Sequence, residues 1–270
     1  MRTVFFRVSN TRAKPVTGQS SLAAFQRRMR IVRGAITLGW PRLCSELRGL
    51  IVPEGLEIAD VHGDLNPLEF LLEMKPLVNP EQLEALEPRW RQVAAHDFGQ
   101  GTESPEACAE PEVARFVGYL TLAAGAANVI EVGSFVGFTA CHVAAALRQL
   151  GRGRLFCVDV DEGMLALTRG NARALRLDDL VTTVHGDSLN LAVLAQLPPA
   201  GVVFIDSAHS HEATRTEIEV YFEKLTRGGF LVLHDSIRWP GVRQAVEECG
   251  RPRMTFATSR GAGVTVIQRP

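Results

Sequence analysis

Three residue clusters in this 270-residue chain have the types and spacing to hold a nucleoside-like ligand. Glu131-Val132-Gly133-Ser134-Phe135-Val136-Gly137-Phe138-Thr139 is a glycine-punctuated turn. Glycine lets backbone approach a ligand closely and leaves the N–H groups of a following helix pointing at it. Asp159 stands 22 residues after Gly137, where a carboxylate accepts both hydroxyls of an adenosine ribose. Gly186-Asp187-Ser188 supplies another acid, placed either to reach an adenine amino group or to close an Asx-turn. The glycine turn is not the dinucleotide fingerprint: Phe135 stands where G-x-G-x-x-G has its second glycine, and the third is absent.

Such residues act together only if consecutive strands end side by side. Short apolar segments rich in Val, Ile, Leu and Phe lie at 128–132, 154–159, 181–185, 201–206 and 229–234, with helical stretches near 137–150, 161–177, 189–197 and 210–226 between them. Strand and helix alternating at this spacing predict a doubly wound α/β fold with a mostly parallel, Rossmann-like sheet and helices on both faces. A further helix near 240–249 precedes segments 253–258 and 263–268, which flank Ser-Arg-Gly-Ala and predict a closing antiparallel hairpin. That makes seven strands. In an open parallel sheet ligands sit beyond the carboxyl ends of the strands, where the glycine turn, Asp159 and Asp187 fall.

Two more strand ends complete a pattern. Phe204-Ile205-Asp206 closes the fourth segment, and Gly228-Gly229 runs into His234-Asp235 at the end of the fifth. With Glu131-x-Gly133-x-x-x-Gly137-Phe138-Thr139, Asp159 and Gly186-Asp187, these resemble a class I S-adenosylmethionine-dependent methyltransferase. The small-molecule O-methyltransferases are nearest in pattern, both the cation-dependent catechol and caffeoyl-CoA type and the group acting on natural products and their sugars. Ile205-Asp206-Ser207-Ala208-His209-Ser210, followed by an acidic helix, Gly-Gly, Leu-His-Asp and Gly241-Val242, is particularly similar to the latter group. The resemblance spans roughly residues 100–270.

The resemblance implies S-adenosylmethionine as cofactor, bound by Glu131, Gly133, Ser134, Gly137, Asp159, Asp187 and Asp206. Glu131, Gly133 and Gly137 would take the methionine end, Asp159 the ribose and Asp187 the adenine side. In the cation-dependent relatives an acid at the position of Asp206 and an acidic pair after the fifth strand bind Mg²⁺. The corresponding pair here is His234-Asp235, or Asp235-Ser236 if the alignment slips by one, leaving Asp206 and Asp235 as candidate metal ligands. One of the usual three ligands is altered, and hard Mg²⁺ prefers oxygen to imidazole. Methyl transfer is an in-line displacement from a sulfonium, so the enzyme aligns donor and acceptor and removes a hydroxyl proton. His209 and Asp206 are the candidate catalytic residues, with His209, three residues after Asp206, as general base, an imidazole suiting that task at neutral pH. Its alternatives are a helix cap near 210 or a role passed to His211. Trp239, Trp90 and Phe98 are candidate walls of an aromatic or sugar pocket, with the core as their alternative place.

Before the alternating region the chain is electrically divided. Residues 1–50 carry ten Arg or Lys and one acid, Glu46, whereas residues 51–115 carry fourteen acids and four bases. The first stretch reads as a basic arm; its Arg-rich start also has the composition of an organellar transit peptide, but Pro15, Gly18, Gly34, Gly39 and Pro41 interrupt any long amphipathic helix. Residues 51–100 read as an acidic helical cap. Asn66-Pro67-Leu68-Glu69 and Asn79-Pro80-Glu81-Gln82 are helix starts, with Leu83, Leu86, Trp90 and Val93 at helical spacing after the second. The catalytic domain then runs over 101–270, and the N-terminal region is expected to cover the acceptor site or to join two copies as a homodimer.

Composition narrows the remaining choices. With 29 Lys+Arg against 30 Asp+Glu, no overall positive charge is available to neutralise phosphates, so nucleic acid is not an expected partner. No apolar run approaches the ~18 residues of a membrane span. Five scattered cysteines without a C-x-x-C pair read as reduced thiols of a cytoplasmic protein. The expected partner is a small-molecule acceptor, and the expected reaction is O-methylation. An NAD-dependent oxidoreductase and a non-catalytic binding protein on the same fold are the alternatives.

Overall fold

The computed structural model describes residues 68–87 and 108–270. The basic arm over 1–50, most of the acidic cap, the boundary near residue 100, and Asn66, Trp90 and Phe98 lie outside the described residues.

The strand segments pair as their apolar character requires. β1 (Asn128–Val132), β2 (Arg154–Asp159), β3 (Val181–His185), β4 (Ala200–Ile205) and β5 (Leu225–His234) are parallel, while β6 (Arg253–Phe256) and β7 (Val264–Gln268) form an antiparallel hairpin whose second strand pairs with β5. The order across the sheet is β3-β2-β1-β4-β5-β7-β6. The chain leaves β1 toward one edge and returns to β4 on its other side, so the switch point, where such sheets open a crevice, lies between the ends of β1 and β4.

Alternate strand residues face opposite helical layers. Val129, Cys157, Phe204 and Val232 pack with Val117 and Leu120 of helix α2 (Pro111–Ala124; α1 is Pro80–Glu84), and with Val143 and Leu147 of α3 (Phe138–Leu150). Ile130, Val158, Ile205 and Leu231 pack on the other side, against Val193 of α5 (Leu191–Leu194), Ile218 and Tyr221 of α6 (His211–Lys224) and Val246 of α7 (Pro240–Glu248). The layer between β2 and β3 is α4 (Glu162–Ala174), capped by Asp161, whose Oδ1 accepts from the N–H groups of Gly163 and Met164. β4 is buried along its whole length, as are 129–132 of β1 and 229–234 of β5, and these stretches are apolar apart from Glu131 and His234.

The expected elements differ from the structure in four places. The helix expected over 189–197 contracts to the four residues of α5, because Asn190 caps its start and Pro198-Pro199 close behind it. β5 begins at Leu225, ahead of Gly229, with a register shift between Ala200 and Val202 that accommodates the glycine pair. The segment after Asn66 forms only a 3-10 turn, Glu69–Glu73, whereas Asn79 does cap α1, its Oδ1 accepting from Glu81 and Gln82. Helix α2 had no counterpart in the expected pattern. It begins with Pro111 in its first turn, ends on the left-handed Gly125, and holds the 3-10 turn through Arg115, which donates to the carbonyls of Leu71, Leu72 and Met74.

Candidate active site

The ends of β1 to β5 open on one cavity of about 840 Å³, within the usual range for small-ligand sites. Glu131, Gly133, Ser134, Asp159, Asp187, Asp206, His209 and Asp235 all line it, so the expected site residues converge, with Gly137 just behind as the residue preceding α3. The glycine turn is compact for a steric reason. Gly133 has φ +82°, and a Cβ there would lie 2.0 Å from the carbonyl oxygen of Asp206. Gly137 N donates to Ser134 O at 2.7 Å, tightening the turn into α3. Phe135 holds the left-handed φ of 47° in its middle, a conformation costly for a bulky residue.

That strain is supported by Asp159, whose Oδ2 accepts from Phe135 N and whose Oδ1 accepts from Asp161 N, both at 3.0 Å. Burial pushes the Asp159 carboxyl up against the opposing pull of these N–H groups. Asp187 Oδ1 accepts from Leu189 N at 2.9 Å, so its Asx-turn is formed while the residue still lines the cavity. Glu131, at the floor, is 2% exposed and accepts from the Cys157 thiol at 3.3 Å. Burial raises it to about 8, with Asp206 and Asp159 adding to the shift.

The opposite end of the cavity is a chain of imidazoles and carboxylates. His209 Nε2 lies 2.8 Å from Asp235 Oδ2, but off the axis of a well-formed hydrogen bond, so this nitrogen has no aligned partner among the described residues. Burial opposes charge on the ring, yet Asp235 and then Asp206 outweigh it and raise the His209 pKa. Asp235 itself has φ 57°, a strained backbone in keeping with a functional position. The His209 ring stacks on Trp239, which is 37% exposed. The helix cap is Ser210, whose hydroxyl accepts from Ala213 N, and His211 turns away to Glu248 at 2.7 Å. The cap therefore belongs to Ser210, and His211 is outside the cavity lining whereas His209 is part of it.

His234 lies behind this pair, between Asp206 and Asp235. Its Nδ1 is 3.0 Å from Asp206 Oδ1 and 3.7 Å from Asp235 Oδ2, and its Nε2 is 2.7 Å from Glu110 Oε2. Glu110 was not among the expected site residues. It is fully buried ahead of α2, and its other oxygen accepts from Thr258 in the β6–β7 connection. Burial works against its charge, but the hydrogen bond and charge of His234, helped by Thr258, lower it to about 2. Glu217 of α6 is the second residue the sequence reading missed. Its Oε1 accepts from Ser188 and Ser207 at the ends of β3 and β4, fixing those two loops to each other.

Asp206, His209 and Asp235 place one donor atom each within 4.8 Å of one another. The set does not fit Mg²⁺. Asp206 Oδ1 is bonded by His234 and Asp235 Oδ2 is approached by both imidazoles, so the two aspartates offer one oxygen each and the third donor is an imidazole, whereas Mg²⁺ prefers a fuller set of oxygens. Ser236, the other residue of the slipped alignment, is buried outside the cavity lining.

Residues 130–236 match the family model of a methyltransferase domain. Over this stretch the chain is similar to a methyltransferase domain. The match spans every strand end of the site but stops short of Glu110 and Trp239. Similar solved structures share the fold of this domain at low sequence identity. An O-methyltransferase from Bacillus cereus in complex with S-adenosylhomocysteine is 17% identical, with a TM-score of 0.60 over 75% of this chain and 96% of that one. The O-methyltransferase TomG from Streptomyces achromogenes, involved in tomaymycin synthesis and solved with S-adenosylmethionine, is 18% identical, with a TM-score of 0.58 over 76% and 97%. A Podospora anserina methyltransferase bound to S-adenosylhomocysteine is 13% identical, with a TM-score of 0.57 over 79% and 100%. No curated protein matches the chain. No helix among the described residues is long and apolar enough to cross a membrane.

Proposed function

We propose that the methyltransferase domain transfers the methyl group of S-adenosylmethionine to a hydroxyl of a small-molecule acceptor, with His209 as general base. The observation that carries this reading is the pairing of His209 with Asp235. Nε2 lies 2.8 Å from Asp235 Oδ2 and is closed off from solvent, which leaves the other ring nitrogen, Nδ1, for the acceptor, on a cavity whose other end is the Gly133 turn and Asp159.

The cavity fits the cofactor at its glycine end. The closeness of Gly133 to Asp206 leaves backbone rather than side chains at the turn. Glu131, Gly133, Ser134 and Gly137 are assigned to the methionine end, Asp159 to the ribose, Asp187 to the adenine side, and Asp206 to the boundary between cofactor and acceptor. The bound cofactor supplies an electrophilic methyl group on a sulfonium. The protein's own task is to bring the acceptor oxygen into line and to remove its proton. His209 accepts that proton at Nδ1, and Asp235 stabilises the imidazolium that results. The Trp239 face gives a planar phenol, catechol or sugar ring a surface on which to lie beside that nitrogen.

The test is calorimetry with S-adenosylhomocysteine, followed by an acceptor screen with isotopically labelled donor. The expected results are binding at one site per chain, weakened by Asp159→Ala, and label appearing on a hydroxyl acceptor. A folded sample that binds no S-adenosylhomocysteine, or that binds it equally well after Asp159→Ala, overturns the reading.

A further inference from the structure

His234 has carboxylate oxygens at both ring nitrogens: Asp206 Oδ1 at 3.0 Å on Nδ1 and Glu110 Oε2 at 2.7 Å on Nε2. Each neutral tautomer of imidazole has a single N–H donor, and only the doubly protonated ring satisfies two acceptors at once. The ring is 7% exposed, and Glu110 is fully buried. A charge so placed persists only with a partner of opposite sign held in place. Glu110 is so held: Thr258 Oγ1 donates to its Oε1 at 2.7 Å, and Thr258 Oγ1 in turn accepts from Gly263 N at 2.9 Å. Its neighbour Glu112 accepts from Ser259 N at 2.7 Å, fastening the start of α2 to the same β6–β7 connection.

We propose that the Glu110–His234 pair fills, with a cation belonging to the protein, the place from which a divalent metal would neutralise Asp206 and Asp235, so that methyl transfer here proceeds without a divalent cation. The inference rests on the methyltransferase reading above. A metal ion entering between Asp206 and Asp235 would meet only the second oxygen of each and would have to settle against a positively charged ring that Glu110 keeps in position. Asp235 is meanwhile directed at His209, which leaves it serving the base. Glu110 and His234 are thus positioning residues. They hold the two aspartates in register for His209 without touching the acceptor.

The experiment is a Mn²⁺ titration of the full chain, saturated with S-adenosylhomocysteine and read by electron paramagnetic resonance. S-adenosylhomocysteine binding is measured by calorimetry on the same samples, so failure of the cofactor reading registers there and not in the Mn²⁺ signal. The wild-type chain is expected to show no site tighter than about 1 mM. His234→Asp is expected to gain one Mn²⁺ per chain, its carboxylate joining those of Glu110, Asp206 and Asp235, and His234→Asn provides a milder substitution should the first impair folding. One Mn²⁺ bound tightly by the wild type and lost in Asp206→Asn overturns the proposal. So does a silent wild type accompanied by folded His234 variants that are equally silent, since His234 would then not be what keeps the metal out.

Discussion

The imidazole of His209 lies flat against the indole of Trp239, with ring centroids 4.7 Å apart and planes 17° from parallel. The stack fixes the ring that Asp235 charges, and the indole also lines the cavity at its open side. Trp239→Ala removes both the wall and the ring support. Aromatic pairs contribute about 0.5–1.5 kcal/mol beyond burial, so kcat/KM for the acceptor is expected to fall by roughly tenfold. Trp239→Phe should retain much of it. S-adenosylhomocysteine affinity, measured by calorimetry, should be unchanged in both; a large loss there would mean that Trp239 supports the fold instead.

His209→Ala is expected to lower kcat by about 10²–10⁴, the usual range for a positioned base, while leaving S-adenosylhomocysteine binding intact. Asp235→Asn tests how the base is tuned. Burial lowers the His209 pKa, and Asp235 together with Asp206 more than offsets it, so removal of Asp235 lets that pKa fall. The base works only when neutral, so the acidic limb of kcat/KM moves to lower pH in Asp235→Asn, with a smaller maximum rate. A limb that stays in place would assign the proton transfer to another group.

Much of this site was legible because it is built from strand ends. Asp159, Asp187, Asp206 and Asp235 each follow an apolar segment of six residues or fewer, and a parallel sheet brings such positions to one edge whatever the intervening helices do. Glu110 was not legible on those terms. Its partner His234 is 124 residues away, and the pairing arises because α2 lies across the sheet with its first turn against the β6–β7 connection. The local signal was present, an acid directly before Pro111 with an apolar 3.6-residue pattern after it, but it reports a helix start and nothing about what the acid meets. Glu217 was hidden differently. It reads as one acid among several on an amphipathic helix, and only the approach of Ser188 and Ser207 marks it out.

Asp159 tests the cofactor half of the cavity. Its two oxygens hold Phe135 N and Asp161 N, so the carboxylate shapes the glycine turn as well as meeting the ribose. Asp159→Ala leaves a strained Phe135 without its acceptor, and hydrogen bonds to a charged group contribute about 1.5–3 kcal/mol each. S-adenosylhomocysteine affinity is expected to fall by at least tenfold. Asp159→Asn, which preserves one acceptor oxygen, should fall between the two. Equal affinities across the series would remove Asp159 from the cofactor site.

Glu131 makes the sharpest prediction about pH, because its carboxyl is carried to about 8 by burial. Near pH 7 the free protein therefore holds Glu131 mostly protonated. An ammonium group of the cofactor arriving beside it favours the carboxylate, so binding should release a fraction of a proton approaching one. Calorimetry of S-adenosylhomocysteine in two buffers of different ionisation enthalpy reads that fraction directly. Affinity should rise as pH is raised from about 6 to 8 and level off beyond, where Glu131 is already ionised. Stability runs the other way. A carboxyl whose folded pKa is raised contributes fully below its ordinary value near 4.5, and that contribution is lost as pH rises through about 8. Glu131→Gln should bind more weakly, show no buffer dependence, and lose less stability between pH 5 and 8 than the wild type. A buffer-dependent enthalpy that survives Glu131→Gln would assign the released proton to another group and detach Glu131 from the methionine end of the cofactor.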